Sequence, residues 1–137
     1  MNKEELKNVL PHRDDMLLVD KAEVINDKAI GEYTITGEEF FLKGHFPGNP
    51  VVPGVILCEI MAQTCCVLLE EQCRGKTPYL TSLDKVRFKE KVFPGDKLEI
   101  ECHITKVREP FYFASGKGYI NGKLAVSGEY SFALMQE

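Results

Sequence analysis

Glu59 is the residue that asks for a chemical explanation. It sits in Val55-Ile56-Leu57-Cys58-Glu59-Ile60-Met61-Ala62-Gln63, a run that is otherwise almost wholly apolar. A carboxylate is almost never fully buried without a partner. Gln63 falls one helical turn later on the same face, and Ala62 and Cys66 keep that face narrow. Such a stripe can line a cavity, where desolvation raises a carboxyl pKa into the range useful for general acid–base work. The same pattern fits a Glu59 that ends in a structural hydrogen bond or a solvent gap. His45 lies fourteen residues earlier, between Gly44 and Phe46-Pro47. An imidazole titrates near neutrality and is the usual catalytic base. A lone loop histidine is ordinarily a surface residue, but a loop that fixes a histidine and feeds a helix bearing a buried acid strengthens both assignments. Gly54 stands where loop becomes helix. Its N–H is among the donors a helix start leaves unpaired, and such a donor can polarise a carbonyl. Glycine there also leaves room for a substrate to approach the main chain.

These residues need elements to hold them. Residues 44–54 contain three prolines and three glycines in eleven positions, a density no helix or central strand survives. From Gly54 to about Arg74 the chain reads as one long helix, apolar nearly all round and therefore buried. Pro53 suits its start and Gly75 its end. Residues 2–9 read as a short helical lead-in. Extended segments are expected from Leu17 to Ile25, Ala29 to Thr36, Tyr79 to Val92, Leu98 to Val107, Phe111 to Ile120 and Leu124 to Leu134. Asn26-Asp27-Lys28 and Phe93-Pro94-Gly95-Asp96 mark turns, and Asn121-Gly122 is the strongest hairpin signal. The order is two strands, a shaped loop, one helix and four strands. A helix this apolar must be covered on most sides, which predicts an α+β fold with an antiparallel sheet wrapped around one long central helix. The sheet keeps two open edges, and pairing with a second copy is one way to remove one.

The chain's 137 residues suit a single domain spanning 1–137. Seventeen basic against twenty-one acidic residues leave a net charge of −4, which argues against nucleic acid as the main partner. The longest apolar stretch, Val51 to Leu69, is broken by Pro53, Glu59 and Gln63, so no membrane span is expected. The start, Met1-Asn2-Lys3-Glu4-Glu5-Leu6, lacks an apolar core and a cleavage site, and a cytoplasmic location is expected. The five cysteines form no CxxC pair and the three histidines lie far apart, so metal-ligand spacing is missing. Cys58 and Cys65, and Cys66 and Cys73, are each seven apart, about 10 Å along a helix at 1.5 Å per residue. The thiols are expected to be small, buried and unbridged.

The string Gly44-His45-Phe46-Pro47-Gly48-Asn49-Pro50-Val51-Val52-Pro53-Gly54, continued by Val55-Ile56-Leu57-Cys58-Glu59-Ile60-Met61-Ala62-Gln63, resembles the signature of the (3R)-hydroxyacyl-[acyl-carrier-protein] dehydratases of type II fatty acid synthesis. The likeness extends to Leu10-Pro11-His12-Arg13, Leu17-Leu18-Val19-Asp20, Asp84-Lys85-Val86-Arg87-Phe88 and Pro94-Gly95-Asp96, in register over nearly the whole chain. It implies a hotdog fold and dehydration of a 3-hydroxyacyl thioester to a trans-2-enoyl thioester, without metal, nucleotide or redox cofactor. It implies His45 as the catalytic base and Glu59 as the catalytic acid, contributed to each site by different subunits of a homodimer. A trimer of dimers is a further assembly it allows. Gly54 matches the donor to the thioester carbonyl, with Val55 beside it on the substrate side. Gln63 matches a residue that supports the acid. Tyr79 matches an aromatic gate at the acyl tunnel, though it also fits an ordinary strand aromatic. A Glu at position 59 resembles the general dehydratase, whereas the isomerising sister enzyme usually has Asp.

Lys85, Arg87, Lys89 and Lys91 alternate with Val86, Phe88, Glu90 and Val92. At period two the four cations share one strand face. Since acyl carrier proteins are acidic, this stripe is a candidate docking surface. It equally suits a solvated face that discourages edge aggregation. The sequence departs from the resembled pattern at Asp14-Asp15-Met16, where an aromatic-Pro-Phe turn is usual, at Ile60, where Ala or Gly is usual, and at Val52, where Met is usual. These departures leave open a specialised or non-catalytic acyl-carrier-protein-binding paralogue; a hotdog acyl thioesterase is a separate alternative, which needs a carboxylate-activated water and leaves the His45 loop unexplained.

Overall fold

The computed structural model describes residues 1–44 and 48–136. A short helix α1 (Lys3–Leu6) is closed by a capping box, with Asn2 accepting from the Glu5 N–H and Glu5 accepting from the Asn2 N–H. Strands β1 (Lys21–Ile25) and β2 (Lys28–Thr34) follow. Helix α2 (Gly54–Cys65) comes next, then a 3-10 segment (Cys66–Leu69) and α3 (Glu70–Cys73). Strands β3 (Lys76–Phe88), β4 (Lys97–Arg108), β5 (Phe111–Ile120) and β6 (Lys123–Gln136) complete the chain. All pairings are antiparallel and the strand order is β1-β2-β4-β5-β6-β3. Asn121 and Gly122 both take positive φ, 50° and 78°, the conformation of the tight hairpin expected between β5 and β6.

The sheet curls around α2, which packs on β2, β4, β5 and β6. Leu57, Cys58, Ile60, Met61, Thr64 and Cys65 are all buried, as an all-round apolar helix requires. Met61 is the central contact. Its Sδ accepts from Tyr130 Oη at 3.1 Å, and its carbonyl accepts from Cys102 Sγ at 3.9 Å. The fold is thus the expected helix wrapped by an antiparallel sheet. No helix among the described residues is long and apolar enough to cross a membrane.

The long helix is present with a local break, and one expectation needs correction. The long helix is not uniform, because the 3-10 segment tightens it and Leu69 leaves the helical region at φ −121°, ψ 34°. A straight rod would hold Cys66 and Cys73 apart. With this break Cys66 and Cys73 come close enough to shift each other's thiols, while all five cysteines remain buried and unbridged. The basic stripe is also not one strand face. The β3–β6 register shifts between Asp84 and Arg87, Lys85 takes φ 51°, and β3 ends at Phe88. A bulge breaks period-two alternation, so Lys85, Arg87, Lys89 and Lys91 are exposed but not aligned.

Met61→Ala is expected to lower the free energy of unfolding by about 2–5 kcal/mol, through lost burial and a cavity under the sheet. Met61→Leu, which conserves volume, should cost less than about 1.5 kcal/mol. Urea denaturation of both variants checks this.

Candidate active site

Glu59 is held from two sides. Its Oε2 accepts from Gln63 Nε2 at 2.8 Å, the i, i+4 contact that the helix stripe predicts. The same oxygen lies 3.3 Å from His12 Nε2. Gln63 is itself fully engaged. Its second N–H donates to the Met16 carbonyl at 2.8 Å, and its Oε1 accepts from the Leu18 N–H at 2.9 Å. One buried amide therefore ties the carboxylate to the segment that carries His12.

That segment is stiffened locally. The Arg13 guanidinium donates to the carbonyls of Lys7, Leu10 and His12 at 2.7–3.0 Å. Asp14–Met16 then makes one 3-10 turn, with Asp14 at φ 50°, before Leu17, Leu18 and Val19 return to the core. The Asp14-Asp15-Met16 departure thus forms a polar, exposed turn rather than a packed one.

Glu59, Ala62, Gln63 and Cys66 line a small cavity of about 50 Å³, as the stripe suggests. His12 closes one side. Pro78 and Leu80 of β3 and Phe132 of β6 form the apolar wall, Leu80 and Phe132 being directly paired across the strands. Ile60, the departure next to Glu59 in sequence, is buried in the core and does not line the cavity. A larger hollow of about 360 Å³, by Met1, Lys21 and Gly31, shares no lining residue with this cavity and has no imidazole on its walls.

The model of the FabA-like domain family matches residues 10–129. The chain belongs to the FabA-like family. Among FabA-like relatives, it is 44% identical over 137 residues to the 3-hydroxyacyl-[acyl-carrier-protein] dehydratase FabZ of Clostridium perfringens (strain SM101 / Type A), covering 98% of this chain and 99% of that protein. It is 41% identical over 140 residues to the FabZ of Alkaliphilus metalliredigens (strain QYMF), covering 98% and 95%. Among solved structures it resembles the dehydratase heterocomplex ApeI:P from Xenorhabdus doucetiae, with a TM-score of 0.83 at 20% identity over 96% of this chain and 91% of that one. The fold of this FabA-like chain is the hotdog fold.

The remaining candidates are placed unevenly. His45 lies outside the described residues. Gly54 is the first residue of α2, and the Phe88 ring covers it so closely that an added Cβ would lie 2.8 Å from the ring edge. The space expected for substrate above Gly54 is filled by that ring, which stands between 2.8 and 3.1 Å from the Cβ position. Val55 is 68% exposed and Tyr79 49% exposed, and neither lines the cavity in this single chain. His12 was missed as a site residue by sequence reasoning, although it stands in the Leu10-Pro11-His12-Arg13 stretch.

The electrostatics also correct an expectation. Burial pushes the Glu59 carboxyl up, as anticipated. Hydrogen bonds from His12 and Gln63, together with the His12 charge, outweigh burial and leave it below its ordinary value. A depressed folded-state pKa stabilises the fold above the ordinary value of 4.5, and that contribution is lost as pH falls through the lowered value. Urea denaturation between neutrality and about pH 3 should therefore show a shallower acid loss in Glu59→Gln than in the unsubstituted chain.

Proposed function

We propose that the chain dehydrates 3-hydroxyacyl thioesters of acyl carrier protein to trans-2-enoyl thioesters, in fatty acid biosynthesis. The observation that carries this reading is the hydrogen-bonded Glu59 in its cavity, within a chain 44% identical over nearly its full length to a FabZ dehydratase. Once the Phe88 ring moves off Gly54, the Gly54 N–H polarises the thioester carbonyl and acidifies the α-carbon. His45 removes the α-proton, and Glu59 protonates the departing β-hydroxyl. Gln63 orients the acid. Tyr79 and Val55 flank the acyl path.

The site is completed by a second copy. β3 is an edge strand of thirteen residues that leaves Tyr79, Leu80, Leu83 and Phe88 exposed. A long apolar edge of this kind invites pairing. Two copies joined there supply His45 from one and Glu59 from the other, and three such pairs make the larger assembly. The isolated chain is then inactive. The exposed Lys85, Arg87, Lys89 and Lys91 face the acidic carrier protein as scattered cations rather than an aligned stripe.

The test follows enoyl-thioester absorbance with crotonoyl and 3-hydroxybutyryl carrier-protein substrates. Interconversion is expected, with His45→Ala and Glu59→Gln each slower by about 10²–10⁴-fold. Thiol release without hydration would instead identify a thioesterase. Turnover of neither substrate by a folded oligomer would identify a binding paralogue. For the carrier protein, Lys85→Glu with Lys89→Glu should raise KM about tenfold at low salt and leave kcat unchanged, an effect that fades as salt rises.

A further inference from the structure

The cavity beside Glu59 has two unlike sides. Glu59, Gln63 and His12 make the polar one, and Pro78, Leu80 and Phe132 the apolar one. On the dehydratase reading the β-hydroxyl lies within hydrogen-bond reach of Glu59, which puts Cβ inside this cavity. The alkyl tail on Cβ then turns to the apolar side. What closes that side decides how long a tail it takes. Phe132 closes it with a ring that is buried and held. That ring stacks on the buried Tyr112 ring, with centroids 6.0 Å apart and planes 19° apart. Tyr112, Phe132 and Leu80 are direct cross-strand partners on β5, β6 and β3. The row thus runs from two packed rings to an exposed Leu80 on the edge strand. The cavity measures about 50 Å³. About 10–15 Å³ of such volume holds one water, so it takes roughly four groups of that size. The departing hydroxyl is one of them, which leaves about three carbons beyond Cβ. A second copy paired with β3 can narrow this space on the Leu80 side, but it cannot deepen it past Phe132.

We propose that Phe132 is the floor of the acyl site and restricts the substrate to short 3-hydroxyacyl chains, of about four to six carbons. This rests on the dehydratase reading and names the substrate class of the same site. A longer tail, such as that of a decanoyl chain, has two ways out, and both are costly. It can push Phe132 and the stacked Tyr112 into the packed core, which strains the side chains behind them. Or it can turn away past Leu80 along the sheet border, which gives up the burial that the apolar side offers. Phe132 touches the tail and takes no part in proton transfer, so its effect is on which chain is chosen. Leu80, on the exposed end of the row, shapes the same space from the outside.

The test compares kcat/KM for 3-hydroxybutyryl, 3-hydroxyhexanoyl and 3-hydroxydecanoyl carrier protein with the intact oligomer. The two shorter chains should exceed the decanoyl chain by at least about tenfold, since a single methylene in a hydrophobic pocket is worth about 10–200-fold. Phe132→Ala removes the floor and should raise the decanoyl-to-butyryl ratio by about tenfold or more. A residue that only packed the core would lower all three chains together and leave that ratio where it was. Equal turnover of the three chains by the unsubstituted enzyme, or a ratio unmoved in Phe132→Ala, overturns the proposal. If Phe132→Ala does not fold, Phe132→Leu is read for the same ratio. A smaller rise in the same direction supports the floor, and no rise refutes it. If none of the chains is turned over, the dehydratase reading fails, and calorimetric binding of butyryl and decanoyl carrier protein decides the floor on its own. Tighter butyryl binding supports it, and equal or tighter decanoyl binding refutes it, so the two ideas fail separately.

Discussion

One carboxylate on an otherwise apolar helix sets the terms for everything around it. Glu59 is only partly buried, yet even so a charge taken largely out of water is costly unless it is paired. Gln63 answers one turn away, and in doing so reaches Met16 and Leu18. The segment from His12 to Leu18 is thereby anchored to the middle of α2, forty-five residues distant at the Leu18–Gln63 bond. The N-terminal stretch, the helix and the cavity are one hydrogen-bonded unit rather than three neighbouring parts.

The helix can host that charge because its other faces are so thoroughly apolar. Ile60, Met61 and Cys65 face the curled sheet and are fully buried, which fixes the rotation of α2 about its axis. With rotation fixed, the Glu59–Gln63 stripe has a single direction to point, toward the β3–β6 wall. Here the packing of one side positions the chemistry of the other.

Much of this was readable in residue order. The Pro/Gly loop, the apolar helix, the Glu59–Gln63 spacing and the Asn121-Gly122 hairpin are local signals, and each has a local cause. The features that were not readable are non-local. His12 becomes a partner of Glu59 only because Gln63 and the core draw its segment across the helix. The Cys66–Cys73 contact needs a helix break that no proline or glycine announces. The bulge at Lys85 comes from pairing against β6, which strand alternation alone does not reveal. The downward displacement of the Glu59 carboxyl has the same origin: burial is legible in a sequence, whereas the partners that reverse its effect are a property of the fold.

The placement of the cavity against β3 carries a last consequence. Pro78 and Leu80 belong to the edge strand, so the wall of the acid's cavity is also the border of the sheet. Whatever pairs with that edge sets the shape of the wall, and the exposed Tyr79 and Leu83 lie on the same strand. A chain that pairs with its own copy there couples assembly to the site directly, because no loop or linker stands between the interface and the wall. On the proposed reading this is why a domain of 137 residues can work with half a site. The acid is buried well enough to be tuned by His12 and Gln63, and it sits close enough to an unpaired edge for a second copy to bring the base.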